Sequence, residues 1–472
     1  MKHLNWVVLS VIVLGLTANS TFTFAQKSRP PQRALRNPGI ASIVRQIDAR
    51  NIERTIRQLV AFGTRNTLSE QNDPKRGIGA ARDWLYAEFL KAAETSGGRM
   101  TVEKQSYEQA KAARVPQPTI ITNIVATLKG SQPQATNRIY VVSGHYDSMC
   151  NSPTDAKCDA PGGNDDASGT AAVLEMARVM AKFEFDATIV FMAVAGEEQG
   201  LLGSTQFAEE AKQKNWNVDA MFTNDIIGNT LGGNGIRDRG AVRVFSEGVP
   251  SNETAAEATT RRSVGGENDS QSRQLARFIK ETSEAFVPQM KVMMVYRRDR
   301  YGRGGDHIPF LERGYPAVRF TETNEDFRHQ HQNVRVENGV QYGDLPEFVD
   351  FAYVANVARV NAAALAMLAY APARPKGVTI ISRLSDDTEL RWDANNEPDL
   401  AGYEIVWRDT SSPVWTNSKA VGKVTTFTLK GMSKDNFFFG VRAVDNDGNR
   451  SPVTYPRPMT RNQPADRSTT SR

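Results

Sequence analysis

The sequence predicts an α/β protein, a mostly parallel sheet flanked by helices, followed by a small all-β sandwich. Three observations carry this. Between Ile120 and Leu368, short β-branched runs alternate with longer helical patterns, which is how a parallel sheet covered on both faces is written. Arg138–Ser143 and Thr188–Ala195 are continuous apolar runs, as expected of strands buried on both sides. Beyond Ala371–Lys376 the period changes to two, with Leu390 and Trp392, then Tyr403, Ile405 and Trp407, then Phe437, Phe439, Val441 and Ala443.

In chain order, residues 1–25 have the form of a secretory signal peptide. Lys2 gives a positive start, Trp6–Leu16 is an apolar core too short to span a bilayer, and Thr23-Phe24-Ala25 offers a cleavage site. A secreted or periplasmic chain is expected. Residues 26–39, rich in Pro, Arg, Gln and Ser, read as a flexible leader. The α/β domain is expected over 40–371. It opens with a helical run through Ile43, Ile47, Ile52, Ile56 and Val60, a turn at Asn72-Asp73-Pro74 and a helix over Ile78–Ala93. Strands follow at Ile120–Leu128 and Arg138–Ser143, then a helix at Ala167–Phe183 and strands at Thr188–Ala195 and Ala220–Ile227. Gly228–Asp269, Gly-rich and poorly periodic apart from Val242–Phe245, reads as an excursion over the site. A helix at Gln271–Phe286, a strand at Ala317–Phe320 and a long helix at Leu345–Leu368 complete the domain. No stretch after the first segment reads as long and apolar enough to cross a membrane. The sandwich is placed at 377–460, and residues 461–472 read as a disordered tail.

The composition of this 472-residue chain is ordinary for a folded protein, with 40% hydrophobic and 24% charged residues. Its net charge of +5, from 58 basic and 53 acidic residues, is too even for a nucleic-acid surface. The only cysteines, Cys150 and Cys158, lie in one loop, and in an oxidising compartment their spacing suits a small disulfide; zinc-binding thiolates are the alternative.

The chemistry concentrates between Val141 and Ser168. His145 and Asp147 sit two apart at a strand end and share a face. Asp165 and Asp166 follow Gly162-Gly163 at a helix start, where a cap alone would also explain them. Glu197-Glu198 ends the next strand, and Asp225 lies in an apolar strand where it needs a counter-charge. Of five histidines, His145, His307, His329 and His331 fall at loop or strand-end positions. His145, Asp165, one of the two glutamates, Asp225 and His331 are therefore the candidate ligands. Nitrogen and carboxylate donors suit zinc, with manganese or cobalt possible. The set is too large for one tetrahedral ion with an open position and fits two ions sharing a carboxylate, able to bind a nucleophilic hydroxide and a substrate carbonyl.

The segments Gly144-His145-Tyr146-Asp147-Ser148, Asp165-Asp166-Ala167-Ser168-Gly169, Glu197-Glu198-Gln199-Gly200-Leu201-Leu202-Gly203-Ser204, Asn224-Asp225 and Asp306-His307-Ile308-Pro309-Phe310 occur in order. Over Ile40–Ala371 the chain thereby resembles the co-catalytic zinc aminopeptidases, a family that includes secreted bacterial leucyl aminopeptidases. The resemblance implies a zinc exopeptidase fold and a substrate with a free N-terminus. It implies two zinc ions bridged by Asp165, with Glu198 and His331 on one and His145 and Asp225 on the other. Glu197 would be general base and acid, Asp147 would orient His145, and His307 would polarise the substrate carbonyl or stabilise the oxyanion. The family commonly writes His-Thr-x-x-Asp where this chain reads His329-Gln330-His331-Gln332-Asn333. Both histidines stay candidates there, the Gln-His order favouring His331. The C-terminal segment resembles a fibronectin type III domain, with Trp392 at its core position and Phe437 in place of the corner tyrosine, and is expected to attach to a protein or polysaccharide surface. Glutaminyl cyclases, which use one zinc on a similar fold, and carboxypeptidases acting on acidic dipeptides are the enzymatic alternatives. A non-catalytic receptor-like protein is the third, and it would have lost its ligands.

Overall fold

The structure is a computed structural model that describes residues 37–459. The signal-peptide and tail readings, and the leader up to residue 36, lie outside the described residues. Asn37–Gly39 do not belong to a leader: Asn37 caps helix α1 (Pro38–Gln46), with its side chain accepting from the Ile40 amide. The helical run expected through Val60 breaks at Ile47, because Asp48 caps a second helix, α2 (Ala49–Ala61), by accepting from the Arg50 amide. Helix α3 (Gly77–Glu94) follows.

Strands β1 (Met100–Gln109), β2 (Thr119–Leu128), β3 (Arg138–His145), β4 (Thr188–Val194), β5 (Asn217–Asn224), β6 (Ala241–Phe245), β7 (Lys291–Val295) and β8 (Ala317–Thr321) form one sheet. Its order is β1-β2-β4-β3-β5-β8-β6-β7. The central strands β4, β3, β5 and β8 run parallel, while β2 and β6 join them antiparallel. The chain leaves β3 for β4 on one side and returns for β5 on the other, so β3 is the switch point at which such sheets gather ligands. The alternation of strand side chains divides the core in two. Tyr140, Val142, Ile189, Phe191, Ala193 and Phe222 pack on one face, beneath α1 to α3, α4 (Ala167–Met180), α7 (Gln271–Phe286) and α9 (Phe351–Tyr370). Val141, Val190, Met192, Val194 and Met221 pack on the other, beneath α5 (Leu202–Gln213) and α8 (Ile308–Glu312). Contrary to the sequence reading, α9 is long and apolar enough to cross a membrane by length and composition. Its apolar residues, Val354 to Leu368, are buried in the protein core.

Several elements carry no sequence signal of their own. Strand β1 reads Met-Thr-Val-Glu-Lys-Gln-Ser-Tyr-Glu-Gln, and being an edge it needs few apolar residues, since only β2 pairs with it. The stretch expected to cover the site includes α6 (Ala255–Val264), which buries no side chain and packs instead toward the C-terminal strands: the Tyr455 hydroxyl donates to the Val264 carbonyl at 3.0 Å. A small hairpin, β9 (Arg335–Glu337) with β10 (Val340–Tyr342), follows His331.

The C-terminal strands β11 (Thr379–Ile381), β12 (Thr388–Arg391), β13 (Leu400–Asp409), β14 (Asn417–Gly422), β15 (Thr426–Leu429), β16 (Phe437–Asp445) and β17 (Arg457–Met459) form sheets ordered β15-β12-β11-β17 and β14-β13-β16. Leu390, Trp392, Tyr403, Ile405, Phe439 and Val441 fill the space between them. The sandwich is not a tethered bead, for the described residues, 37–459, all fall within one compact unit. Ion pairs join it to the α/β domain, those of Asp269 and Arg138 buried and that of Arg442 partly exposed. Asp269, before α7, receives Arg408 of β13 at 2.7 Å and Arg277 of α7 at 2.9 Å, all nearly solvent-free. Arg138 meets Glu397 at 3.1 Å, and Arg442 lies 2.9 Å from Glu281. The proline-containing linker is pinned too: Arg374 reaches Asp219 at 3.1 Å, and the Ala373 amide donates to Glu397 at 2.6 Å.

Removing one partner of a buried ion pair leaves the other charge stranded. Asp269→Ala strands two guanidinium groups and is expected to lower stability by about 3–5 kcal/mol, read from urea denaturation with Trp392 fluorescence as one probe. A loss under about 1 kcal/mol would mean that the pairs do not hold the sandwich in place.

Candidate metal centre and active site

The candidate residues meet at the C-terminal ends of β3, β4 and β5. β3 ends in His145, β5 leads into Asp225, and the turn after β4 carries Glu197 and Glu198. The two aspartates at the start of α4 divide the roles that sequence left open. Asp166 is the cap: its carboxylate accepts from the Gly169 amide at 2.9 Å and from the His145 amide at 3.0 Å. Asp165 points its carboxylate at the histidines. The Asp165–Asp166 peptide is cis. Close approach here requires glycine. Gly162 has φ +51°, and a Cβ on Gly169 would lie 2.2 Å from the Asn224 carbonyl oxygen, so any larger residue would push α4 away from β5.

Asp165 is shared by two triads. Its Oδ1 lies 3.2 Å from His145 Nε2, which is also 3.9 Å from Asp225 Oδ1. Its Oδ2 lies 2.9 Å from His331 Nε2, which is 3.3 Å from Glu198 Oε1. Within each triad the potential ligand atoms all lie within 4.8 Å of one another. His145, Asp165, Glu198 and Asp225 are each at most 5% exposed. Buried His145 Nε2 and Glu198 Oε1 have no hydrogen-bond partner. Three carboxylates facing two imidazoles out of water, with polar atoms left over, call for cations at the centres of the triads. The nitrogen and carboxylate donor set fits zinc.

Electrostatics agree. Burial pulls the His331 imidazole down, but the charges of Glu198 and Asp165 outweigh it and push it up to about 11. His145 is likewise raised well above its usual range: burial opposes charge, but its contacts with Asp147, Asp165 and Asp225 win. Glu197, beside the triads with its carboxylate set among other acidic groups, is raised well above the carboxylate range by loss of water around it and by Glu198, Asp225 and Asp306.

Asp147 does more than face His145 Nδ1, 3.5 Å from its Oδ1. It also accepts from the Glu197 amide at 3.3 Å and the Glu198 amide at 3.2 Å, so one carboxylate orients both the imidazole and the glutamate turn. His307 does not join the cluster. It is fully buried and its Nε2 donates to the Arg298 carbonyl at 2.8 Å, while burial holds the ring down to about 4. The ring anchors the basic loop and is committed there, in place of the carbonyl-polarising role that its motif implied. His329 stacks on Phe348 with ring centroids 3.7 Å apart, leaving His331 as the histidine that reaches Asp165. Cys150 and Cys158 form a disulfide, which removes them as thiolate ligands.

Three residues at the site escaped sequence reading, Arg65, Asp344 and Arg319, and a fourth, Asp306, entered it only as the first residue of the Asp306–Phe310 segment, with no role of its own. Arg65, fully buried, donates to the carbonyls of Tyr146, Pro161 and Gly162 and ties the loop between the His145 and Asp165 segments. Asp344 accepts from the Asp165 amide at 2.7 Å and fixes the shared carboxylate's backbone. Asp306 is buried near Glu197, and burial pushes its carboxyl up to about 7. Arg319 lies 2.9 Å from Asp225 and is the counter-charge that Asp225 demanded. Only Arg319 had a signal, as a lone cation in the apolar run Ala317–Phe320. Arg65 and Asp344 look like ordinary polar loop residues.

In the metal-free chain, a raised imidazole contributes stability below the ordinary histidine range and loses it as pH rises through about 11. A cation needs the neutral ring, so zinc uptake within that window releases the proton, and affinity rises with pH. Zinc added to chelator-stripped protein in weak buffer is expected to acidify the solution, and His331→Ala to remove much of that release. A pH that stays flat in the unmodified chain would contradict the assignment.

Comparison with known proteins bears on the same site. A family model described as peptidase family M28 matches residues 123–344, which contain every residue of both triads. The chain is 50% identical over 420 residues to a Leptosphaeria maculans protein named "Probable zinc metalloprotease", covering 89% of this chain and 97% of that one. It is 47% identical over 461 residues to a Pyricularia oryzae protein of the same name, covering 94% and 91%. These relatives are fungal, where the motifs had pointed to bacterial enzymes. Among solved structures, Legionella pneumophila LapA matches with TM-score 0.51 and 20% identity, over 70% of this chain and 76% of that one. The aminopeptidase from Aneurinibacillus sp. strain AM-1 matches with TM-score 0.50 and 16% identity, over 70% and 96%. At such identities the likeness is one of fold. The sequence relatives carry the assignment further: the chain belongs to peptidase family M28 and is a zinc metalloprotease of that family.

Proposed function

We propose that this protein is an exported two-zinc aminopeptidase that removes residues from the free N-terminus of peptides. The observation that carries the reading is the sharing of Asp165 between two triads, each with two carboxylates and an imidazole. In this reading Asp165, Glu198 and His331 would hold one ion, and His145, Asp165 and Asp225 would hold the other. Zinc bound there supplies Lewis acidity at two adjacent points, and manganese or cobalt could substitute. Glu197 takes the proton of the attacking water on its carboxylate and passes it to the departing amine. Asp147 holds the Glu197 amide, so the base keeps its place beside the triads. The name of the Aneurinibacillus structure, an aminopeptidase, is consistent with the aminopeptidase reading.

Export is supported by the N-terminal signal pattern and by the Cys150–Cys158 disulfide, a bond that persists in oxidising compartments. The sandwich, with Trp392 in its core and two facing sheets, supports the fibronectin-like reading; its outer face is the surface proposed to meet a protein or polysaccharide.

Release of product from an amino-acid anilide tests the proposal, with chelation abolishing it and zinc restoring it. Glu197→Gln is expected to lower kcat by about 10²–10⁴-fold while metal content holds. Cyclisation of an N-terminal glutamine without anilide hydrolysis would replace the reading with a glutaminyl cyclase. Cleavage only of acidic dipeptides at a free C-terminus would replace it with a carboxypeptidase.

A further inference from the structure

The turn that carries Glu197 and Glu198 is held by three successive backbone amides. The Glu197 amide donates to Asp147 Oδ1 at 3.3 Å and the Glu198 amide to Asp147 Oδ2 at 3.2 Å. The amide before them, of Gly196, donates to the Thr67 hydroxyl oxygen at 3.1 Å. That hydroxyl in turn donates to Asp147 Oδ2, also at 3.1 Å. A hydroxyl has one proton to give and lone pairs to receive with, and Thr67 uses it in both directions. Thr67 and Asp147 are at most 1% exposed, so bulk water does not stand in for either bond.

Thr67 comes from the segment between α2 and α3, outside the residues 123–344 that the family model matches. Its neighbours fix that segment against the site. The Arg65 amide donates to the Ser148 hydroxyl at 3.1 Å, and Asn66 Nδ2 donates to the Pro153 carbonyl at 3.1 Å. The side chain of Gln199, next to Glu198, donates to the same Pro153 carbonyl at 2.9 Å. The hydroxyl is thus anchored from behind, with one contact on the carboxylate that faces His145 and one on the turn that carries Glu197. Without it, the Gly196 amide loses its partner and the turn keeps two of its three anchors.

We propose that Thr67 is a positioning residue for the general base: through Asp147 and the Gly196 amide, its hydroxyl fixes the turn from which Glu197 works. This rests on the reading of Glu197 given under the proposed function. The N-terminal helical segment then supplies part of the catalytic apparatus as well as part of the core.

The test compares Thr67→Val, which removes the hydroxyl at nearly constant volume, with Thr67→Ser, which keeps it. On the zinc-loaded full chain with an amino-acid anilide, Thr67→Val is expected to lower kcat about 10–100-fold, with KM and zinc content unchanged. Thr67→Ser should restore most of that loss. In a Glu197→Gln background Thr67→Val should cost little more, since a residue acting through the base has nothing left to position. Circular dichroism monitors folding, and Thr67→Ala takes the place of Thr67→Val should the latter not fold. Full kcat in Thr67→Val, a serine variant as poor as the valine one, equal losses in both backgrounds, or a loss that follows zinc content overturns the proposal. So does failure of both hydroxyl-free variants to fold. Should the unmodified chain cyclise N-terminal glutamine without hydrolysing the anilide, the aminopeptidase reading falls and the same comparison is read on cyclisation. Full anilide turnover in Thr67→Val does the reverse.

Discussion

Three carboxylates and two imidazoles, nearly all out of water and within a few ångströms of one another, are the constraint from which the rest of the architecture follows. Asp165, Glu198 and Asp225 repel one another, and burial removes the water that would screen them. The protein spends a second layer of charged and polar groups on keeping them in place. Asp344 holds the Asp165 backbone, Asp147 holds the glutamate turn, Arg65 ties the intervening loop, and Arg319 offsets Asp225. What remains is a concentration of negative charge matched to dications, on which the zinc of the family is expected to sit.

The sheet explains why these groups can meet at all. Parallel strands end at the same edge, so β3, β4 and β5 deliver His145, Glu197-Glu198 and Asp225 to one place although they are far apart in the chain. The N-terminus of α4 brings Asp165 to the same edge, and the absence of a side chain at Gly169 lets it come close. The sandwich, bound through Asp269, Arg277 and Arg408, reaches this region indirectly: Arg277 and Tyr296 both donate to the Pro413 carbonyl, and Tyr296 opens the basic loop that runs to Asp306. The C-terminal domain is thus structurally continuous with the loop that packs on Arg319.

Legibility in the sequence followed range. Strands β3, β4 and β5 were readable because burial on both faces writes a continuous apolar run, whereas the cap at Asp48 that separates α1 from α2 went unread because apolar spacing continues across it. Edge strand β1 and helix α6 were not readable either, since neither buries enough to leave a pattern. At the site, His145, Asp165, Glu198, Asp225 and His331 stood out as costly residue types at strand ends. His307 and His329 stood out for the same reason, but their rings turn to the Arg298 carbonyl and to Phe348. Position in the chain reports where a backbone goes and says little about where a ring points.

By itself the sequence determined the α/β class, the change to a sandwich after the proline-containing linker, and the short list of side chains able to hold a cation. These follow from periodicity, and from the rule that ionisable groups beside apolar strands need partners. Only the tertiary structure decided that Asp165 is shared and Asp166 caps, that His331 and not His329 faces the triads, and that Arg319 lies against Asp225. Each of those depends on a contact between segments separated by tens to hundreds of residues, where distance and orientation, set by the packing of the whole sheet, choose among side chains that the chain presents as equals.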